Sequence, residues 1–144
     1  MSKKQKRVQY LGLFLDDSNT AKIDNHFGQS DYPSRFIHHL TVKFNPSLEE
    51  TAHFSSMMGD WFEIEILGWA WDHRAQVAVV RRETNALYKN IEYPHITLYT
   101  NGCPPKVSNE ILANFMNSNF KYHSLKVRGR LGAMFNWSKE PSYN

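Results

Sequence analysis

The feature that most restricts what this chain can fold into is one pattern used twice, His39-Leu40-Thr41-Val42 and His95-Ile96-Thr97-Leu98. Each reads His, apolar, Thr, apolar. On a β-strand successive side chains point to opposite faces, so His and Thr share one face while the aliphatic pair enters a core. Two such strands facing each other would gather two imidazoles and two hydroxyls around one small cavity. That inventory can deliver a proton to one side of a phosphodiester and remove one from the other.

Composition sets how surprising the repetition is. With 7 His and 18 Ser plus Thr among 144 residues, a bare His-x-[Ser/Thr] arises about once by chance. Requiring apolar residues after both positions, at 41% apolar composition, lowers the expectation to about 0.15, and two full copies have a chance on the order of one per cent. His53-Phe54-Ser55 meets the loose pattern but is followed by Ser56. It also comes after Ser47-Leu48-Glu49-Glu50, a capping-box signature that places His53 on a helix, where positions i and i+2 diverge.

A length of 144 residues suits a single domain with a real core. The formal charge is +3, and Lys3, Lys4, Lys6 and Arg7 supply four positives; subtracting them leaves −1 for the rest. Residues 1–7 are therefore expected to form a basic flexible tail, and residues 8–144 one domain of two lobes with a motif in each. A body without excess positive charge is a poor host for a long polyanion and a better one for a short, compact phosphodiester. The charged start is followed by a β-like run rather than a signal-peptide hydrophobic stretch, and nothing reads as a membrane span. The single cysteine, Cys103, excludes an internal disulfide and fits a reducing, cytoplasmic setting.

Along the chain, residues 8–15 read as a mostly buried strand and 20–27 as a short helix capped by Asp17 or Ser18. A polar loop leads to the first motif strand, 36–44, stopped by Asn45-Pro46. A helix is expected over 47–58, ended by Gly59, then a hairpin of 62–71 and 75–80 turning at 72–74. An irregular connection over 85–93 precedes the second motif strand, 95–100; a helix over 108–116 and a glycine-interrupted strand over 125–135 complete the chain. Mixed elements with a hairpin predict an α+β fold.

These residues resemble the 2H phosphoesterase superfamily, defined by two His-apolar-[Thr/Ser]-apolar motifs on strands lining a groove. The resemblance spans essentially the whole chain. It is nearest to the T-even-type phage anti-CBASS phosphodiesterases, on Gly12-Leu13-Phe14-Leu15-Asp16-Asp17, on His39 to Phe44, on Leu67-Gly68-Trp69-Ala70-Trp71, on Pro94 to Leu98 and on Ser108-Asn109-Glu110. The cyclic-phosphodiesterase domains of fungal-type tRNA ligases look similar around both motifs. The resemblance implies a two-lobed fold in which antiparallel sheets form a central groove with helices packed outside. It implies a metal-independent phosphodiesterase, with no cofactor, that degrades cyclic di- and trinucleotide immune signals in the host cytoplasm. His39 and His95 are then the acid–base pair, and Thr41 and Thr97 hold phosphate oxygens.

From the residues themselves, a neutral imidazole would take the proton of a ribose 2′-OH, whose oxygen attacks the adjacent phosphorus. A protonated one opposite would supply the departing 5′-oxygen. Which His plays which part stays open in the sequence. No His-Glu-x-x-His, paired cysteines or acidic triad suggests a metal.

Strand parity nominates Lys43 and Tyr99 as groove-lining substrate contacts, with a solvent-facing rim position as the alternative for each. Tyr10, sharing parity with Gly12, is a candidate to stack on a base, worth about 1–3 kcal/mol per base, or else a core residue. Trp137 is a second candidate base platform, although Glu140 follows it where the family pattern has an acidic residue upstream. Opposite parity assigns His38 to packing or solvent, and Trp69 and Trp71 are read as packing residues. The partner expected is a small cyclic oligonucleotide, with no membrane and no obligate protein partner. An RNA end bearing a 2′,3′-cyclic phosphate, or non-catalytic nucleotide binding, is the alternative.

Overall fold

The computed structural model describes residues 7–144. The expected basic tail lies outside the described residues except for Arg7. That residue is tied to the sheet: Asn136 N–H donates to Arg7 O at 2.9 Å, and Arg7 N–H reaches Asn136 Oδ1 at 3.4 Å.

The fold is α+β, as the mixed patterning predicts. Its strands are β1 (Val8–Phe14), β2 (Ser34–Arg35), β3 (His39–Phe44), β4 (Trp61–Trp71), β5 (Ala75–Val80), β6 (His95–Thr100) and β7 (Asn119–Phe135). Its helices are α1 (Asp17–Phe27), α2 (Leu48–Phe54) and α3 (Val107–Ala113). All pairings are antiparallel, in the order β2-β6-β3-β1-β7-β4-β5. A further pairing of β6 with β5 closes the sheet on itself. One edge of β6 is fully taken by β5. The other is shared by β2 and by β3, and β3 touches it through the single pair Leu40↔Ile96.

Alternation sorts the strands into two faces. Leu11, Leu13, Leu40, Ile64, Ile96 and Leu131 are fully buried on one face, and Ile23 of α1 packs into the same cluster. On the opposite face Ala75 and Val77 meet Val107, Ile111 and Leu112 of α3. Trp69 is buried and Trp71 packs against the main core, as their shared face predicts. No helix is long and apolar enough to cross a membrane among the described residues.

Local chemistry places the elements. The capping box at α2 forms in full: Ser47 Oγ accepts from Glu50 N–H, and Glu50 Oε1 accepts from Ser47 N–H, both at 3.0 Å. The helix gives way to a 3-10 turn after Phe54 rather than running to Met58, and Gly59 follows at φ 87°. Helix α1 starts earlier than expected, because Asp16 rather than Asp17 or Ser18 accepts from Asn19 N–H at 3.0 Å. Strand β7 begins at Asn119, six residues ahead of the expected start, because β4 pairs with it from Trp71↔Asn119 onward. The pairing supplies what the polar sequence of residues 119–124 does not announce.

The first motif strand departs most from expectation. Instead of one strand over 36–44, the chain is interrupted at Ile37, a buried β-branched residue at φ 35°. Ile37 N–H donates to Thr97 O and His38 O accepts from Leu15 N–H, both at 3.0 Å, so bonds on either side hold the kink. Left-handed backbone at a β-branched residue costs on the order of 1–3 kcal/mol and persists only where its surroundings impose it.

Candidate active site

The pair Leu40↔Ile96 brings the two motifs together. His39 and Thr41 flank it on β3, and His95 and Thr97 flank it on β6. All four are half-buried, on the face away from the fully buried Leu40 and Ile96. Across β6, Thr97 is in register with Val77 and His95 with Val79.

Each imidazole has a different orienting partner. His95 Nδ1 lies 2.6 Å from Tyr93 O; a carbonyl only accepts, so Nδ1 carries the proton and Nε2 is left for chemistry. Burial pushes the His95 pKa below its usual value, and the Tyr93 carbonyl, which favours the cation, pulls against that. His39 Nδ1 lies 3.0 Å from His38 Nδ1, so one ring donates and the other accepts. Burial, then the nearby charges of His38 and His95, hold the His39 pKa down to about 3. His39 therefore senses the charge of the second motif histidine.

Tyr10 stacks on His39, ring centroids 4.7 Å apart at 23°, and Phe14 lies 5.6 Å from His39 and 5.4 Å from His38. Burial pushes the Tyr10 pKa up to about 12, so its hydroxyl stays neutral and protonated at working pH. Between these rings Gly12 faces Thr41 on one side and Gly132 on the other. A Cβ at Gly12 would stand 3.1 Å from Leu40 O.

Helix α3 contributes to the site through Ser108, fully buried, whose Oγ lies 2.8 Å from Thr97 Oγ1. The sequence marked Ser108 as a helix start and as part of the resemblance segment Ser108-Asn109-Glu110, without a role at the site. What could have singled it out is a small hydroxyl residue opening the helix that follows a motif strand.

Two nominated contacts do not join the site, for one shared reason. Each motif strand skips a residue directly after its Thr: Val42 in β3, between the pairs Gly12↔Thr41 and Leu11↔Lys43, and Leu98 in β6, between Val77↔Thr97 and Gln76↔Tyr99. Each skip flips the parity that follows. Lys43 consequently turns to Glu50 of α2, with Nζ 3.1 Å from Oε2. Tyr99 turns to Phe27, with ring centroids 6.0 Å apart, and to Arg35, whose Nη1 donates to Tyr99 Oη at 3.0 Å. The same parity logic missed His38, because the kink at Ile37 brings its ring beside His39 and Phe14.

Trp137 stacks on Phe135, ring centroids 6.3 Å apart at 22°, in the returning C-terminal segment. Ser142 exchanges two 2.8 Å backbone hydrogen bonds with Ala133, and Tyr143 lies over Gly132 with Arg130 4.2 Å from its ring centroid. This return borders an open cleft of about 550 Å³ lined by Arg130, Phe135, Trp137, Glu140 and Tyr143. Tyr143 and Phe14, 6.4 Å apart, connect it to the His39 side. A second open cleft of about 530 Å³ is lined by Val79, Arg81, Tyr93, Leu112 and Phe115, without a motif residue in its lining.

Among the described residues no three His, Cys, Asp or Glu side chains are grouped to hold a metal ion. In comparisons with known proteins, no family model matches the chain and no curated protein matches it significantly.

Proposed function

We propose that this protein is a 2H-type phosphodiesterase that cleaves the 3′-5′ linkages of cyclic di- or trinucleotides without a metal, and so destroys immune signals of that class. The observation that carries the reading is the meeting of His39 and His95 beside one interstrand pair, on one face, each with a Thr two residues on. Opening the closed sheet at Leu40↔Ile96 would leave the two motif strands as facing edges, each followed by a helix. That arrangement supports the two-lobed 2H architecture.

The unequal surroundings of the two rings suggest their roles. His39, held neutral, takes the proton of the ribose 2′-OH. His95, whose Nδ1–H is fixed on Tyr93 O, becomes the imidazolium that protonates the departing 5′-oxygen at Nε2. A phosphate anion entering between them favours the charged form of His95 and offsets its burial. Thr41 and Thr97 donate to the non-bridging oxygens. The product is a 2′,3′-cyclic phosphate, which the same pair opens with water when the roles reverse.

The test is incubation in EDTA with cyclic dinucleotides, cyclic trinucleotides and an RNA ending in a 2′,3′-cyclic phosphate. Cleavage of the cyclic oligonucleotides with EDTA present is expected. Activity abolished by EDTA would sink the metal-free mechanism, and opening of the RNA end alone would replace the signalling role with RNA repair. Stoichiometric binding with intact nucleotide recovered would make the protein a sponge.

A further inference from the structure

We propose that His38 and His39 work as one proton relay, in which the half-buried His39 takes the substrate proton at Nε2 while passing its Nδ1 proton to the exposed His38. The inference rests on the phosphodiesterase reading above and deepens it by adding a residue that acts through another.

Adjacent residues on a strand point to opposite faces, yet the rings of His38 and His39 lie edge to face at 5.2 Å with their Nδ1 atoms 3.0 Å apart. The left-handed backbone at Ile37 makes this possible, and it is fixed by Ile37 N–H to Thr97 O of β6 and by Leu15 N–H, just past β1, to His38 O. A strained β-branched residue directly before a functional dipeptide is where stored strain is expected to have a use. Phe14 touches both rings from β1, Tyr10 covers His39, and the titratable group facing from β6 is His95. Beyond Phe14 stand Tyr143 and Arg130. Among the described residues no carboxylate bonds either ring to stabilise an imidazolium on His39 in the way Asp does in a Ser-His-Asp triad.

That environment creates a difficulty for simple base catalysis. An imidazole that resists protonation is a weak base, because efficiency improves as the base's pKa approaches the working pH. A partner that removes the second proton as the first arrives lets His39 act without holding a charge. His38 is the exposed member, so the charge ends in water, where solvation costs little.

The balance is closed. The O2′–H bond breaks and its proton joins His39 Nε2, while the electron pair left on O2′ attacks phosphorus. The His39 Nδ1–H proton moves to His38 Nδ1, and His38, now an imidazolium, releases its Nε2 proton to water. The leaving 5′-oxygen takes its proton from His95. His39 is left neutral in its other tautomer, with Nε2–H facing the phosphate and Nδ1 accepting from His38. Run backwards, the relay opens the cyclic phosphate: His39 Nε2–H goes to the departing O2′ while the His38 Nδ1 proton returns to His39 Nδ1 and His38 takes one from water at Nε2, which resets the role of His39.

The variants His38→Gln and His38→Ala separate relay from orientation. A Gln can hydrogen-bond His39 but cannot carry its proton, so kcat for 3′,3′-cyclic GMP–AMP is expected to fall about 10²-fold in both, with KM little changed. Imidazole added to the solution restores turnover to His38→Ala, and the acidic limb of the kcat–pH profile moves to lower pH in His38→Gln. Full turnover and an unchanged profile in His38→Gln, with wild type active and His39→Ala inactive, would overturn the relay alone. Wild-type inertness toward every cyclic oligonucleotide would instead overturn the phosphodiesterase reading, and the relay with it. Nitrogen-15 NMR reads the pair without substrate: one Nδ1–H shared between the rings is expected, and two Nε2–H tautomers would contradict the proposal.

Discussion

His39 and His95 are the same residue in the same motif, yet their neighbours prepare them differently. One leans on a backbone carbonyl that favours its cation, the other on a second imidazole that opposes it. The His39 pKa, about 3 in the folded protein against an ordinary 6.5, also has a stability consequence. Between those values the unfolded chain binds a proton that the folded site refuses, so stability is full above about pH 6.5 and falls as the pH drops toward 3. His39→Gln removes that linkage. Urea titrations from pH 7 to pH 4 should show a shallower loss for the variant than for wild type; parallel curves would mean that His39 is not held neutral by the fold. The four motif residues were legible from alternation alone, because parity survives over three consecutive strand residues. Lys43 and Tyr99 were not, since each lies beyond a skipped residue that composition does not mark. His38 was hidden by the single positive φ before it.

At the scale of elements, strands with strict alternation and helices with a chemical start signal were the readable ones. Ser47 announced α2, and its capping box is formed. Ser47→Ala should cost about 1 kcal/mol, measured as a drop in the urea midpoint with unchanged m-value, and with little effect on activity since α2 carries no site residue. The extension of β7 to Asn119 was not readable, because exposed polar residues there follow β4 rather than a pattern of their own. Helix α3 links scaffold to site through Ser108. Ser108→Ala removes a buried hydroxyl from Thr97, which should cost about 0.5–1.5 kcal/mol and free the Thr97 rotamer, so KM is expected to rise more than kcat falls. A change confined to stability would make Ser108 a packing residue only.

Over the whole molecule, the closed sheet holds both motif strands at one junction, and the C-terminal return walls the His39 side. That return depends on the absence of a side chain at Gly132, where a Cβ would come within 2.9 Å of the Tyr143 ring. Gly132→Val should expel Tyr143 and speed hydrogen exchange at Ser142 while Leu11, Leu13 and Leu131 stay protected; unchanged exchange at Ser142 would show that the return is held from elsewhere.

The central claim is that two histidines share one phosphodiester as base and acid, and its most direct test is turnover of 3′,3′-cyclic GMP–AMP in EDTA by His39→Ala and His95→Ala. The analogue lacking both 2′-hydroxyls is run beside the natural substrate. Each variant should lose about 10²–10⁴-fold in kcat/KM with its fold intact, and the deoxy analogue should remain uncut by wild type. Retained turnover in either folded variant, or cleavage of the deoxy analogue, would contradict it.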